Sequence, residues 1–189
     1  MASILPFDEL NKLTYQIREM FGDQPLPKKE NSKEVMEDVL DMLLDFFLLS
    51  YAIGNTVTND NLGADWIPSA EEALRTVNKK VAGKDWEQRV EDYFSNGGTG
   101  DDLIRIAETE MHRDANESAL ETARHAGAKN KTWITMADER VRDTHSYLEG
   151  VTVGIDDEFL TYDGDRAFAP GMFDFAQNNV NCRCELLFS

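Results

Sequence analysis

From Phe7 to Phe21 apolar residues return every three or four positions, at Leu10, Leu13, Ile17 and Met20, which predicts a short amphipathic helix. Pro25, Pro27 and two lysines between Gly22 and Asn31 predict a linker. Ser32 is then placed to cap a second helix over about 33–53. That helix is acidic on one side (Glu34, Glu37, Asp38, Asp41, Asp45) and densely apolar elsewhere. Its apolar arc is wider than one stripe, so it is either deeply buried or meets another protein. Val35, Val39, Met42, Leu43, Phe46 and Phe47 are the candidate partner-binding positions, although burial within the chain is the commoner fate of such side chains.

Asn55 to Asp65 reads as polar and turn-rich. Ser69 precedes a helix carrying Ala73, Leu74, Val77 and Val81 that ends near Gly83, and Trp86, Val90, Tyr93 and Phe94 make a further stripe. The run Asn96-Gly97-Gly98-Thr99-Gly100 stops it, since glycine reaches the backbone angles that end a helix. Asp101 opens a long helix to about His125, with Ile104, Ala107, Met111, Ala115 and Ala119 in helical register. Glu110 and Arg113 stand off that stripe, where an exposed pair one turn apart contributes only about 0.2–0.5 kcal/mol. His112 and His125 read as surface histidines.

Past residue 132 the texture changes. Thr132–Thr135 suits a short strand, and Thr135 with Asp138 forms a capping pattern for a helix over about 136–148. Gly150–Gly154, Phe159–Tyr162 and Cys182–Phe188 read as short strands between Asp-, Gly- and Pro-rich turns. The expected fold is α+β: a helical N-terminal two-thirds, then a small α+β unit with short antiparallel strands. The expected division is a helical extension over 1–83 and a second domain over 84–189.

Composition narrows the function. The 189 residues carry 36 acids against 19 bases, a formal charge of −17. Such a surface repels phosphate backbones and anionic membranes, which makes direct DNA binding doubtful. The most apolar stretch, Leu43–Ile53, is too short to span a bilayer, and no secretory leader is apparent. Cytosolic synthesis without a membrane anchor is the expectation.

The only thiols, Cys182 and Cys184, sit one residue apart near the C-terminus, with an asparagine before them and an arginine between. Concentrating such residues at a chain end, normally a permissive place, implies that this tail is tied down against the segment before it. Trp133, Arg140, Arg142, His145, Asn181 and Arg183 are the candidate structural closure. The arginines are expected to pair with carboxylates such as Asp138, Glu139 or Glu185. On a strand Cys182 and Cys184 face one way, so both sulfurs reach one Zn²⁺ with Asp143 and His145 completing a tetrahedron. Buried packing thiols, or a thiol nucleophile based on His145, are the other readings; outside this possible structural zinc, no cofactor is expected.

The ordered series Thr109-Glu110, Arg113, Asn116, then Lys131-Thr132-Trp133, Asp138-x-Arg140-Val141-Arg142-x-x-His145, Gly150, Phe159, Pro170 and Asn181-Cys182-Arg183-Cys184 resembles the phage Mu F-like head-morphogenesis family, over about residues 85–188. The resemblance implies a minor capsid protein of a tailed bacteriophage, not an enzyme. It implies partners in the portal protein or other head proteins, a place in the virion head near the portal vertex, and a part in head assembly or genome delivery. A zinc- or thiol-dependent enzyme centred on His145, Cys182 and Cys184 is the competing class.

Overall fold

A computed structural model describes residues 3–22, 24–27, 33–81 and 83–189. Ser32 and half of the 22–31 linker lie outside the described residues. Five helices come first: α1 (Phe7–Phe21), α2 (Lys33–Leu62), α3 (Ala70–Val77), α4 (Trp86–Asn96) and α5 (Gly100–His125). Then follow β1 (Asn130–Ile134), α6 (Asp143–Ser146), β2 (Thr152–Gly154), β3 (Phe159–Leu160), β4 (Arg166–Ala167), α7 (Ala176–Asn179) and β5 (Glu185–Phe188). This is the α+β arrangement that the hydrophobic pattern implies.

Helix α5 is the axis of the molecule. One core gathers Leu13 and Ile17 of α1, Val39, Leu43 and Phe47 of α2, Trp86 and Phe94 of α4 and the first half of α5. The other gathers Ala119, Leu120 and Ala123 of α5 with Ile4, Leu5, Trp133, Phe159, Phe173 and both cysteines. The two cores therefore divide along α5. Small residues at Ala115 and Ala119 let neighbours approach on several sides, and α2 crosses so closely that a Cβ on Gly54 would lie 2.1 Å from the Ala115 carbonyl oxygen. Strand β1 lies between β2 and β5, antiparallel to both, with Trp133 opposite Leu186.

Local expectations change in four places, one being α3, which stops at Val77, short of Val81. The 55–65 segment is helical as far as Leu62, because its polar side chains find partners: Asn55 donates to Thr122 Oγ1 (2.8 Å) and Asn59 to the Trp66 carbonyl (2.7 Å). No helix runs over 136–148. Thr135 Oγ1 accepts from the Ala137 N–H two residues on, a tight side-chain turn, and Ala137 takes φ 52°, leaving only the single turn α6. The regular part of the last strand starts at Glu185, after both cysteines.

Helix α2 is long and apolar enough to cross a membrane by length and composition alone. Val39, Leu43, Phe47 and Tyr51 nevertheless sit in the first core, with much of the rest of the apolar run partly buried beside them.

Candidate functional site: the clasp of the C-terminal segment

One face of α5 holds the backbone of residues 181–184. Thr109, His112 and Asn116 fall three and four residues apart, so they stack on one side of the helix. Thr109 Oγ1 accepts the Asn181 N–H at 3.2 Å. His112 Nδ1 lies 2.9 Å from the Cys182 carbonyl oxygen, which requires the proton on Nδ1. Asn116 donates to the Cys184 carbonyl at 3.0 Å. Burial holds His112 below its ordinary pKa, so the ring is neutral and the bond is an uncharged one. Asn181 turns the chain into this groove with φ 56°, a left-handed conformation that asparagine tolerates better than other residues with a β-carbon.

The opposite wall comes from the segment after β1. Arg142 donates to the Val180 carbonyl. Arg183 forks onto Asp138 with bonds of 2.9 and 2.8 Å, and holds that exposed carboxyl below its usual range. The loop leading into the tail is pinned from inside. Asp165, buried, accepts from the Asp174 and Phe175 N–H groups and the Asn178 amide, while Asn179 bonds both the N–H and the carbonyl of Phe173. Glu185 takes Ser3 Oγ and the Ile4 N–H instead of an arginine, which draws the N-terminal residues over β5.

Between the walls, His145, Cys182 and Cys184 converge, all buried, their donor atoms within 4.8 Å of one another. His145 Nδ1 stands 3.6 Å from Cys182 Sγ and 3.5 Å from Cys184 Sγ. Trp133 packs edge-on to the imidazole at 5.4 Å and Phe173 stacks on it at 5.5 Å. The thiol of Cys182 is held well below its ordinary pKa, first by the hydrogen bond from Cys184 and then by His145. Cys184 is pushed up by its neighbour Cys182 and by burial. The cleft beside this trio has a cavity of about 10 Å³ bounded by Arg140, Arg142, Asn181 and Arg183. A separate cleft of about 250 Å³ lies behind Phe173, between Lys79–Val81 and the 166–174 loop.

Of the closure candidates, Trp133, Arg142, His145, Asn181 and Arg183 meet around the tail, and Arg140 borders the small cleft. Among the metal candidates, Asp143 stands apart: it is exposed at the start of α6 and is not in the three-donor cluster. Of the partner-binding candidates, Val39, Leu43 and Phe47 are fully buried within the core, so they offer no free surface. Val35, Met42 and Phe46 are half-buried beside them.

Two expectations on α5 are overturned. His112 is buried, not at the surface, whereas His125 is exposed and stacked on Trp66 at 4.0 Å. Glu110 and Arg113 are also inside, both 1% exposed. Arg113 reaches past α5 to the carbonyls of Thr76, Val77 and Lys79, capping the end of α3, and pairs with Glu110 at 2.9 Å and Asp114 at 2.5 Å. Burial raises the Asp114 carboxyl to about 8 against the pull of Arg113. The clasp residues Thr109 and His112 were missed as a pair with Asn116. Their signal was a polar stripe at helical spacing, opposite the apolar one.

A family model described as Phage Mu protein F like protein matches residues 71–187. Over 85 residues, 43% of this chain, the sequence is 39% identical to NAD(+)--arginine ADP-ribosyltransferase EFV of Enterococcus faecalis, covering 17% of that protein. Over 85 residues it is also 33% identical to minor head protein GP7 of Bacillus phage SPP1, covering 28% of that protein. The chain thus spans less than a third of either curated relative. No solved structure matches.

Proposed function

The chain belongs to the phage Mu protein F-like family, and from that membership we propose that it is a minor head protein of a tailed bacteriophage, associated with the portal and acting in head assembly or genome delivery. The observation that carries this reading is the family match over residues 71–187, which includes α5, the three-stranded sheet and the clasped tail. The SPP1 relative is itself a minor head protein. The transferase relative shares a stretch of the same length, 17% of its chain, and the role we propose takes the shared unit as a head-protein module.

Physically, the clasp suits a structural part. Three backbone bonds from α5, the Arg183–Asp138 fork and the Arg142 contact fix both sides of residues 180–184. A segment so held keeps one shape while large assemblies close around it. The half-buried apolar flank of α2, with Val35, Met42 and Phe46 and the 44% exposed Leu49, is the surface we assign to contact with the portal or a neighbouring head protein. The charge of −17 favours a basic protein face over nucleic acid.

Co-expression with the portal protein of the same phage tests the proposal. A complex that co-elutes from a sizing column, and that Met42→Glu with Phe46→Glu disrupts while the fold is retained, is the expected result. Separation of the two proteins at micromolar concentration refutes portal association. Incubation with labelled NAD(+) and an arginine-rich acceptor is expected to leave the acceptor unlabelled.

A further inference from the structure

We propose that His145, Cys182 and Cys184 bind a transition-metal ion, with Zn²⁺ the best match, through Nδ1 and the two sulfurs, and that the ion locks the C-terminal segment onto α6. The two sulfurs stand at nearly the same distance, 3.6 and 3.5 Å, from one ring nitrogen. A hydrogen-bond chain from Cys184 through Cys182 to His145 uses only one of these two contacts, yet the other sulfur stands just as close. A shared ion accounts for both. With Zn–N of about 2.0–2.1 Å and Zn–S of about 2.3 Å at tetrahedral angles, ligand nitrogen and sulfur fall roughly 3.5 Å apart.

The donor set agrees with the geometry. Two thiolates and an imidazole are soft to intermediate ligands that select zinc over magnesium or calcium. With the ion bound both sulfurs are thiolates, and together they cancel the charge of Zn²⁺. The buried centre is thereby neutral, which removes most of the cost of placing an ion among Trp133 and Phe173. Three protein donors leave a fourth position. The adjoining cavity of about 10 Å³ touches His145 and Cys184 and has close to the room one water needs. That water completes the tetrahedron, with Arg140, Arg142 and Arg183 at the rim of its cleft.

The site also explains why the tail is braced so heavily. The thiols lie on either side of Arg183, and their carbonyls are taken by His112 and Asn116, so the backbone cannot rotate either sulfur away from His145. This inference is independent of the head-protein reading, because metal content does not depend on the partner.

The full chain, purified reduced and without chelator, should contain one zinc per chain. After chelation it should take up one Co²⁺ with thiolate-to-metal charge-transfer absorption and the visible bands of a tetrahedral ion. Chelation should also lower the melting temperature and make both thiols reactive toward a thiol reagent. Cys182→Ser and Cys184→Ser should each lose the bound equivalent. Should either variant fail to fold, the Co²⁺ spectrum of the unaltered chain still reports sulfur ligation. Three results overturn the proposal: thiols that react equally with and without Zn²⁺, a Cys182–Cys184 disulfide in the purified chain, or metal retained in both serine variants.

Discussion

Replacing Gly54 by alanine sets two effects of opposite sign against each other. Gly54 lies in the interior of α2, where alanine normally stabilises a helix by about 1 kcal/mol over glycine. At this position the new Cβ would stand 2.1 Å from the Ala115 carbonyl oxygen and 2.9 Å from the Ala115 Cα and carbonyl carbon. Those are backbone atoms in the middle of α5, so no side-chain rotation relieves the contact, and the two helices must separate. Overpacking a core costs about 1–3 kcal/mol, and an overlap of this depth belongs at the upper end. The net expectation is about 2 kcal/mol of destabilisation, or a melting temperature lower by roughly 4–8 °C for a chain of this size. Urea unfolding followed by far-ultraviolet circular dichroism measures it. Adding Ala115→Gly should give no rescue, since the obstructing atoms are main-chain. A Gly54→Ala protein as stable as the original, or one restored by Ala115→Gly, refutes the reasoning.

Arg113→Met should destabilise by about 3–5 kcal/mol in the same assay, because it takes the cation from buried Asp114, leaves Glu110 with Arg89 alone and uncaps α3. Asn116→Ala strands the Cys184 carbonyl, costing about 1–3 kcal/mol, and should raise the rate at which a thiol reagent modifies the tail cysteines. Lys131, buried against Phe159 and Phe168, has its pKa lowered by desolvation from 10.5 to about 8. The unfolded chain therefore holds the extra proton between those values, so the lysine's penalty is full below pH 8 and fades as pH rises toward 10.5. The stability difference between Lys131→Met and the unaltered chain should shrink over that window in parallel denaturation series.

Local periodicity was enough for the elements whose burial is one-sided. The stripes Leu10, Leu13, Ile17 and Trp86, Val90, Phe94 each name a face, and both helices stand where those stripes put them. The Cys-x-Cys tail, set among an asparagine and arginines, likewise marks a tied-down segment by its composition. Periodicity failed where polar side chains are satisfied by residues far along the chain. Asn55 and Asn59 look like turn formers until Thr122 and the Trp66 carbonyl accept their amides. Glu110, His112 and Arg113 look like surface residues until α3 and the tail close over α5. A hydrogen bond to a partner 37 or 70 positions away leaves no trace in local spacing, yet it decides whether a polar group is stable inside. Sequence alone determined the helical character, the acidic surface and the family-specific order of residues. Tertiary structure alone decided that one imidazole nitrogen faces two sulfurs, because only the packing of α5, α6 and the final segment brings positions 145, 182 and 184 to one point.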